Sequence, residues 1–535
     1  MTPKILPAFA TALAAGLAVT LAATDDPAHA GRSAWAFVGA DGKLVYRADE
    51  RGNTLLDFSR AGYHGGGVAL PAVPVAVALD PSPVPAAGAE ATATTDDGER
   101  IQQALDTVAG MTADAAGQRG AVLLRRGIWR VAGDLRVPGG VVLRGEGSAK
   151  DGTGTVIIAT GTQKRTLIRL GEAKPATPAV AEVSGSRRRV TEGYVPASSR
   201  TLALERVDDL KPGDRVVVLR PGTAAWIASI GMDRIVARSP EHKISQWEPA
   251  EYDFHIERFV TAVEAEARRV TLDAPLMIAL EEAFGGGWLY RAESRRAREC
   301  GVGSLCLVSD YKAGQETSDS DHAATAIGMG AVENAWVRDV VAWHFDGGVR
   351  VGRDAAFVTI RDGAHLDPVG PIVGGYRYGF HLGGQYTLVE GCRTRGDRHS
   401  FVTSSRVRGP NVFLDGVAEQ SHADSGPHHR FAIGTLYDNM RESGAINVQD
   451  RGDSGTGHGW TGAQQVLWNC IAPRRLVLQQ PPGARNWAIG CVARFDKGRL
   501  PREEGVIDSP GAPVQPASLY RAQLAERLAS GDPER

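Results

Sequence analysis

The chain has 535 residues and a formal net charge of −2, with a sequence pI of about 6.7. This balance excludes a general surface for nucleic acids or other polyanions, so any affinity for an acidic ligand must be local. Glycine accounts for 65 residues, and glycine-rich turns between short apolar runs favour strands over helices.

The first 30 residues have the pattern of a secretory signal peptide. Lys4 is followed by a long apolar run, ILPAFATALAAGLAVTLAA, and AHA at 28–30 is a small-x-small cleavage site. A membrane anchor is the alternative, but the alanine-rich composition and the nearby cleavage site favour export. We therefore expect a secreted or periplasmic protein with no membrane association after signal cleavage.

Composition divides the rest of the chain into five segments. A helix with Ile101, Ala104, Leu105 and Val108 on one face begins after a Pro/Ala-rich stretch, and short strands between Gly or Pro turns follow it. The expected segments are an N-terminal segment with linker (31–94), first coils with a capping helix (95–199), an inserted β-rich subdomain (200–290), a main β-helix (291–510) and a helical tail (511–535).

From residue 299 to 495 short strands recur in pairs. Examples are GVRVG with FVTIRDG, YGFHLGG with TLVEGC, and HSFVTSS with NVFLDG, and the second members begin 22 to 30 residues apart. This is the spacing of a solenoid whose coils each carry two or three short strands. A β-sandwich would show tight two-residue hairpin turns, and few are present. The pattern predicts an all-β fold, a right-handed parallel β-helix.

Four motifs, LLDFSRAGYHGGG, TDDGERIQQALDTVA, GAVLLRRGIWRV and GGVVLRGEG, resemble the opening of pectate-lyase-superfamily β-helix proteins. The resemblance implies that the helix caps the open end of the solenoid. This scaffold carries lyases, hydrolases, epimerases and phage tailspikes, so the reaction must be argued from the site.

Two clusters of basic residues, GDRHS at 396–400 and SHADSGPHHR at 421–430, lie near each other in the sequence. The strands GVRVG, GFHLG, SFVTS, RFAIG and AINVQ can be aligned so that Val349, Phe380, Phe401, Phe431 and Ile446 point inward. Successive coils lie about 4.8 Å apart. We therefore expect the two clusters to meet on the outer face, with VAEQSHADSG (417–426) as an overhanging loop.

Such a surface suits β-elimination of a uronic-acid polymer. Arginine can neutralise the substrate carboxylate, and a histidine, or an arginine of lowered pKa, can remove the C5 proton. We expect a polysaccharide lyase with an acidic polysaccharide or oligosaccharide as partner. The catalytic candidates are Arg398, His399, His428, Arg430 and His422. The substrate-binding candidates are His381, Asp424, Asn447, Arg451, His458, Trp460 as a stacking residue, and Arg350.

Two alternatives remain open at this point. A glycoside hydrolase or transglycosylase on the same scaffold would need a pair of carboxylates, for which the candidates are Asp397, Asp415, Asp424, Asp438 and Asp453. Asp415 and Asp438 follow their strands at equivalent positions, which predicts a structural ladder of turns instead. The second alternative is a carbohydrate-binding β-helix without catalysis.

We expect no metal or other cofactor. Many lyases on this scaffold bind Ca²⁺, which remains an alternative, but the strand faces near the site are basic and a calcium site needs clustered oxygen ligands. The five cysteines include no CxxC pair. Cys300 and Cys306 could form a local disulfide, but we expect most of the cysteines to fill the core as thiols.

Overall fold

The computed structural model describes residues 31–83, 96–172 and 174–531. The predicted signal peptide and part of the Pro/Ala linker lie outside the described residues. Within the described part of the chain, no helix is both long and apolar enough to cross a membrane.

Twenty-nine strands form one continuous parallel ladder, which confirms the predicted parallel β-helix. Each strand pairs with the equivalent strand of the next coil, so the ladder divides into three sheets that run along the solenoid. Three long strands belong to two sheets because they bend at a corner: Ala297–Ser309, Val332–Trp343 and Ile471–Leu478.

The remaining strands are assigned by their pairing. The first sheet contains Val75–Leu79, Gly120–Leu124, Val141–Arg144, Ala356–Arg361, Gln385–Glu390, Arg408–Leu414, Ala432–Asp438, Gly462–Ala463, Val466–Trp468, Trp487–Ile489 and Val506–Asp508. The second contains Gly127–Val131, Thr155–Ala159, Ala364–Leu366, Arg393–Arg395, Val417–Glu419, Arg441–Glu442 and Val492–Phe495. The third contains Leu135–Val137, Thr166–Leu170, Thr325–Met329, Gly347–Val351, Tyr378–Leu382, His399–Thr403, Asp424–Pro427 and Ala445–Val448.

The interior is filled by columns of apolar side chains from successive coils. In the third sheet Val349 pairs with Phe380, and Phe380 pairs with Phe401. The rings of Phe380 and Phe401 stack at 5.4 Å, with 9° between their planes. This in-register stacking fixes which side chains point outward on the same sheet, because one row lies directly above another.

The helix Gly98–Ala109 packs against the strands of the first coils. Its buried residues are Ile101, Ala104, Leu105 and Val108, the face that the sequence periodicity predicts, and they join the solenoid core. The apolar end of the stack is thereby covered.

The inserted subdomain is antiparallel and begins earlier than expected, since its strands extend from Val180 to Ser294. Its strands are Val180–Glu182, Arg188–Arg189, Tyr194–Val195, Thr201–Ala203, Arg215–Arg220, Phe254–Glu264, Arg269–Leu272, Leu280–Glu281 and Trp288–Ser294. A short helix, Ala224–Ser229, and the 3₁₀ turns Pro249–Tyr252 and Glu282–Phe284 complete it. Its core is shared with outward-facing residues of the first sheet, so the insertion covers one side of the solenoid.

The alignment that placed RFAIG in the third sheet is wrong. Residues 432–438 form a strand of the first sheet, and the coil equivalent of His399–Thr403 is Asp424–Pro427. The sequence DSGP has no apolar alternation, so the sequence predicted a loop. Gly426 has a φ of 124°, and a Cβ there would lie 2.4 Å from the Asn447 carbonyl oxygen, so the close approach of the next coil requires glycine.

The C-terminal helix Leu519–Ala529 packs alongside the solenoid and not over its end. The Tyr520 amide donates to Asp438, and the Tyr520 hydroxyl donates to the Ala61 carbonyl. Near the N-terminus, the strand Gly31–Arg32 pairs in parallel with Val514–Gln515, and Ala36–Val38 pairs antiparallel with Leu44–Tyr46. A 3₁₀ turn spans Tyr63–Gly65. All five cysteines are buried free thiols.

Candidate functional site

The site lies on the outer face of the third sheet and on the turns that lead from this sheet to the first, which we call the corner turns (352–355, 383–384, 404–407, 428–431 and 449–461). Arg350 pairs laterally with His381, and Tyr378 pairs with His399. The two sequence clusters do meet here, although through Asp424–Pro427 and the following corner turn instead of through a 429–434 strand. Three imidazoles contact the Tyr378 ring and two more pack against His428, and we call all five the histidine cluster: His381, His399, His428, His429 and His458.

A buried histidine–carboxylate hydrogen bond lies at the base of the cluster. Nδ1 of His399 is 2.6 Å from Oδ1 of Asp424, and Asn447 donates to the other carboxylate oxygen at 2.5 Å. Burial by itself would raise the pKa of Asp424, but His399, Arg451 and Asn447 outweigh it and hold this pKa well below its usual range. Asp424 therefore stays ionised and orients the His399 ring.

His428 links this pair to an arginine and a phenol. Its Nδ1 lies 3.2 Å from the guanidinium of Arg451, and its Nε2 lies 3.2 Å from the hydroxyl of Tyr378. A guanidinium can only donate, so Nδ1 accepts and the proton of the neutral ring is on Nε2, directed at Tyr378. Burial, reinforced by His399 and Arg451, places the pKa of His428 far below its ordinary value, so the ring is neutral.

Tyr378 is the central residue of the site, and the sequence reasoning missed it. Its ring centroid lies 5.1 Å from His381, 4.8 Å from His399 and 5.5 Å from His428. Burial raises the pKa of Tyr378, and the neighbouring guanidinium of Arg398 offsets only part of this rise. The resting group is a half-buried neutral phenol, which can act as a proton donor.

Three imidazoles form the half-buried rim. Burial is the largest cause that lowers the pKa of His381 to about 3, of His429 to about 4 and of His458 to about 3, and neighbouring positive groups add to it. These rings are neutral near pH 7 and can accept protons. Arg350, beside His381 on the preceding coil, is exposed.

Several buried polar atoms of the cluster have no hydrogen-bond partner among the described residues. Natively folded proteins satisfy nearly all such atoms, and exceptions require an explanation. The atoms are His381 Nε2, His399 Nε2, His429 Nδ1, His458 Nδ1 and Asn447 Oδ1. Five such atoms in one place indicate a surface built to meet a polar ligand or to transfer protons.

Three sequence-predicted residues take other positions. The His422 side chain is exposed, and its pKa is lowered first by partial burial and then by the charges of Arg377 and Arg474, with no contribution from the histidine cluster. Arg430 turns toward Thr456 and toward Glu251 of the insertion. Trp460 cannot stack on a sugar, because it is 2% exposed and its indole N–H donates to the Ile230 carbonyl under the insertion.

The carboxylates named for a hydrolase are engaged in structural contacts. These contacts are Asp397 with His365, Asp438 with Ser518 and the Tyr520 amide, Asp415 with Arg521, and Asp453 with Arg499. The turn ladder exists but is shifted by one residue, since Leu414 pairs with Asp438. Asp415 is thus equivalent to Asn439, and both have a φ above 50°, a conformation that Asp and Asn tolerate.

Within the described residues, His399, Asp424 and His428 form a group of three potential metal ligands, with ligand atoms within 4.8 Å of one another. Calcium requires about six to eight oxygen ligands, and Asp424 is the single carboxylate of this group, so the residues do not fit Ca²⁺. A transition metal would meet the permanently charged Arg451, which lies 4.0 Å from Asp424. The potential ligand atoms of Asp424 and His428 are already engaged: Asp424 contacts His399 and Asn447, and His428 contacts Arg451 and Tyr378. We therefore derive no step through a metal.

The pH dependence of stability tests the neutral state of His428. An unfolded imidazole takes up a proton below about pH 6.5, whereas His428 in the folded protein does not, so the wild type loses up to about 1.4 kcal/mol per pH unit on acidification from this group. The substitution His428→Asn removes this imidazole and with it the pH-dependent loss of stability that it causes. We expect the variant to be less stable at neutral pH by about 1–3 kcal/mol, and urea unfolding should show this deficit shrinking as the pH falls toward about 5. A deficit independent of pH would contradict the assignment.

No protein-family model matches the chain, and no curated protein matches it significantly. Among solved structures, the chain is similar to the tailspike protein gp49 from Pseudomonas phage LKA1, at 15% identity over 74% of this chain and 57% of that chain, with a TM-score of 0.45. It is also similar to the tailspike protein of E. coli bacteriophage HK620 in complex with a pentasaccharide (10% identity, 91% and 70% covered, TM-score 0.39). A third is PfbA, a surface adhesin of Streptococcus pneumoniae (9% identity, 77% and 78% covered, TM-score 0.38).

The aligned region spans less than two thirds of the LKA1 tailspike. At these identities the likeness concerns the fold alone. The comparisons therefore do not show membership of the pectate-lyase superfamily, and the reaction rests on the geometry of the site.

Proposed function

We propose that this protein is an exported polysaccharide lyase that cleaves a uronic-acid-containing glycan by β-elimination. One observation carries the proposal: a neutral phenol, Tyr378, stacked against a neutral imidazole, His381, with guanidiniums on either side. A proton donor, a proton acceptor and carboxylate-binding groups are the three functions that the reaction requires.

The carboxylate of the substrate would bind between Arg350 and Arg398. Within the described residues, neither guanidinium has an ion-pair partner; Arg350 is exposed, and Arg398 donates to the Gly374 carbonyl. Arginine is suited to this role because it is permanently charged and can bind a carboxylate through two parallel hydrogen bonds. Neutralising the carboxylate makes the C5 proton of the uronate more acidic.

His381 would then remove the C5 proton. The electron pair of the C5–H bond forms the C4–C5 double bond, the C4–O bond breaks, and the phenol of Tyr378 gives its proton to the leaving oxygen. The phenolate is stabilised by the Nε2–H of His428 and by Arg398 until the imidazolium of His381 returns the proton. Binding of a carboxylate beside Arg350 also offsets part of the positive charge that lowers the pKa of His381, which makes this ring a stronger base.

His399 and Asp424 would support the reacting groups from below. His399 is 1% exposed, so it positions Tyr378 and His428 and does not meet substrate in this arrangement. This assignment moves the proton transfers from the predicted catalytic histidines His399, His422 and His428 to Tyr378 and to His381, which was predicted as a substrate-binding residue.

The test is incubation of the purified protein with polygalacturonate, alginate, glucuronan and glycosaminoglycans, in buffer with a chelator. A lyase produces an unsaturated uronate that absorbs ultraviolet light, whereas a hydrolase produces new reducing ends without this absorbance. We expect ultraviolet-absorbing products from at least one polymer, with no loss of rate on chelation. Reducing ends alone would support a hydrolase, and binding without cleavage would support a carbohydrate-binding module.

A further inference from the structure

A second concave surface lies between the insertion and the corner turns. This insertion cleft has a volume of about 820 Å³ and is lined by Arg353, Arg406, Arg408, Glu251, His255 and Tyr290 among others. Ligand sites usually measure about 300–1,000 Å³. The cleft is thus large enough for several linked sugars.

The insertion cleft borders the corner turn that carries part of the histidine cluster. Arg406 lines the cleft, and its amide donates to the Arg430 carbonyl on the next corner turn, beside His429. Glu251 of the insertion lies 3.2 Å from the Arg406 guanidinium and 3.9 Å from that of Arg430. The positive charge of Arg406 also contributes, after burial, Arg430 and Arg451, to the lowered pKa of His429.

Two arginines of the insertion cleft, Arg353 and Arg408, form no ion pair within the described residues, although the nearby Asp354 carboxylate acts on the pKa of both. Arg353 is exposed on its corner turn. Arg408 donates only to backbone carbonyls, those of His255 at 3.0 Å and Arg353 at 2.9 Å, and its Nε is buried without a hydrogen-bond partner. Burial, together with the charges of Arg353 and Arg296, outweighs the carboxylates of Glu257 and Asp354 and lowers the pKa of Arg408 to about 10.

The other arginines of the cleft are paired, including Arg187 with Glu182, whereas the lining carboxylates Asp253 and Asp354 form no ion pair within the described residues. Arg296 forms buried ion pairs with Glu257 and Glu333, and Arg406 pairs with Glu251. Among the described residues, Arg353 and Arg408 are therefore the cleft arginines that remain outside ion pairs, and both lie on the wall formed by the solenoid.

We propose that the glycan extends from the histidine cluster into the insertion cleft, where Arg353 and Arg408 bind the carboxylate of a second uronate residue. This inference rests on the proposed function and adds a distal subsite to it. The insertion is then a specificity element that gives the enzyme a preference for long, repeatedly acidic chains over short ones.

The experiment measures kcat/KM on uronate oligosaccharides of increasing length, prepared from whichever polymer the wild type cleaves. We expect the wild type to favour long chains and Arg353→Ala to reduce the long-to-short ratio by about tenfold, the loss typical of one charge-assisted contact. Arg408→Gln, which keeps hydrogen-bonding capacity at the buried position, should reduce the ratio in the same direction. Arg393→Ala is the matched control, since Arg393 is an exposed arginine of the second sheet paired with Glu419. An unchanged ratio in both cleft variants would overturn the subsite while leaving the lyase assignment intact.

A binding measurement separates this inference from the proposed function. If the wild type cleaves none of the polyuronates, calorimetry with short and long oligosaccharides of each tested polyuronate still reports on the cleft. Affinity that grows with chain length and falls about tenfold in Arg353→Ala supports the subsite on its own. Affinity that is absent, or independent of both length and Arg353, overturns it.

Discussion

Tyr378→Phe is expected to lower kcat on the cleaved polyuronate by about 100- to 10,000-fold, the usual contribution of a positioned general acid. The substitution removes one oxygen and leaves the ring that contacts His381, His399 and His428. KM should change little, because the carboxylate would be bound by Arg350 and Arg398. The loss should therefore appear in the chemical step and not in binding.

Steady-state kinetics by ultraviolet absorbance of the product measures this effect, and thermal unfolding checks that the variant is folded. Loss of one partly buried hydroxyl should cost about 0.5–1.5 kcal/mol. Tyr311→Phe is the matched control, because Tyr311 lies on a loop near His344, away from the histidine cluster. Wild-type kcat in Tyr378→Phe would show that another group protonates the leaving oxygen.

Glu333→Gln is expected to destabilise the protein by about 3–5 kcal/mol, since it leaves the two largely buried guanidiniums of Arg215 and Arg296 with a single carboxylate, that of Glu257. Glu333 is 2% exposed and contacts Arg215 of the insertion at 2.6 Å, and Arg298 at 2.6 Å and Arg296 at 3.3 Å on the solenoid side. Burial alone would raise the pKa of Glu333, but these arginines outweigh it and hold the pKa at about 2. These ion pairs attach the insertion to the first sheet.

Denaturant unfolding measures the loss, and limited proteolysis tests its location. We expect earlier cleavage within residues 180–294 of the variant than in the wild type, because the insertion loses one of its attachments. Glu419→Gln is the control, since Glu419 forms an exposed pair with Arg393 and such pairs contribute about 0–1 kcal/mol. Equal losses of stability in the two variants would contradict the role of Glu333 in attaching the insertion to the first sheet.

The fold could be predicted from the sequence because its signals are local and repeated. The amphipathic helix buries the four residues that its periodicity indicates. The apolar strands GVRVG, YGFHLGG and HSFVTSS recur at coil spacing, and Val349, Phe380 and Phe401 do stack in one column. Each of these patterns depends on neighbouring residues alone.

The site could be predicted only in part, because its contacts join different coils. Asp424 belongs to a short strand, DSGP, whose apolar pattern is absent and whose position is set by pairing with the coils on either side. The sequence alignment placed RFAIG, and not Asp424–Pro427, beside the strand of His399, so it predicted the wrong neighbours for His399. Tyr378 was missed because a tyrosine that begins a strand gives no sign that three imidazoles from other positions surround it.

By itself, the sequence determined the coiled architecture, the capping helix and the concentration of His and Arg between 396 and 430. Only the tertiary structure decided that Asp424 pairs with His399, that Tyr378 stands at the centre, and that the insertion buries Trp460 and forms a cleft over the corner turns. The physical reason is the range of the interactions. Periodicity reports what one strand or helix buries, whereas the lateral register of stacked coils and the docking of an inserted subdomain depend on packing between residues far apart in the chain.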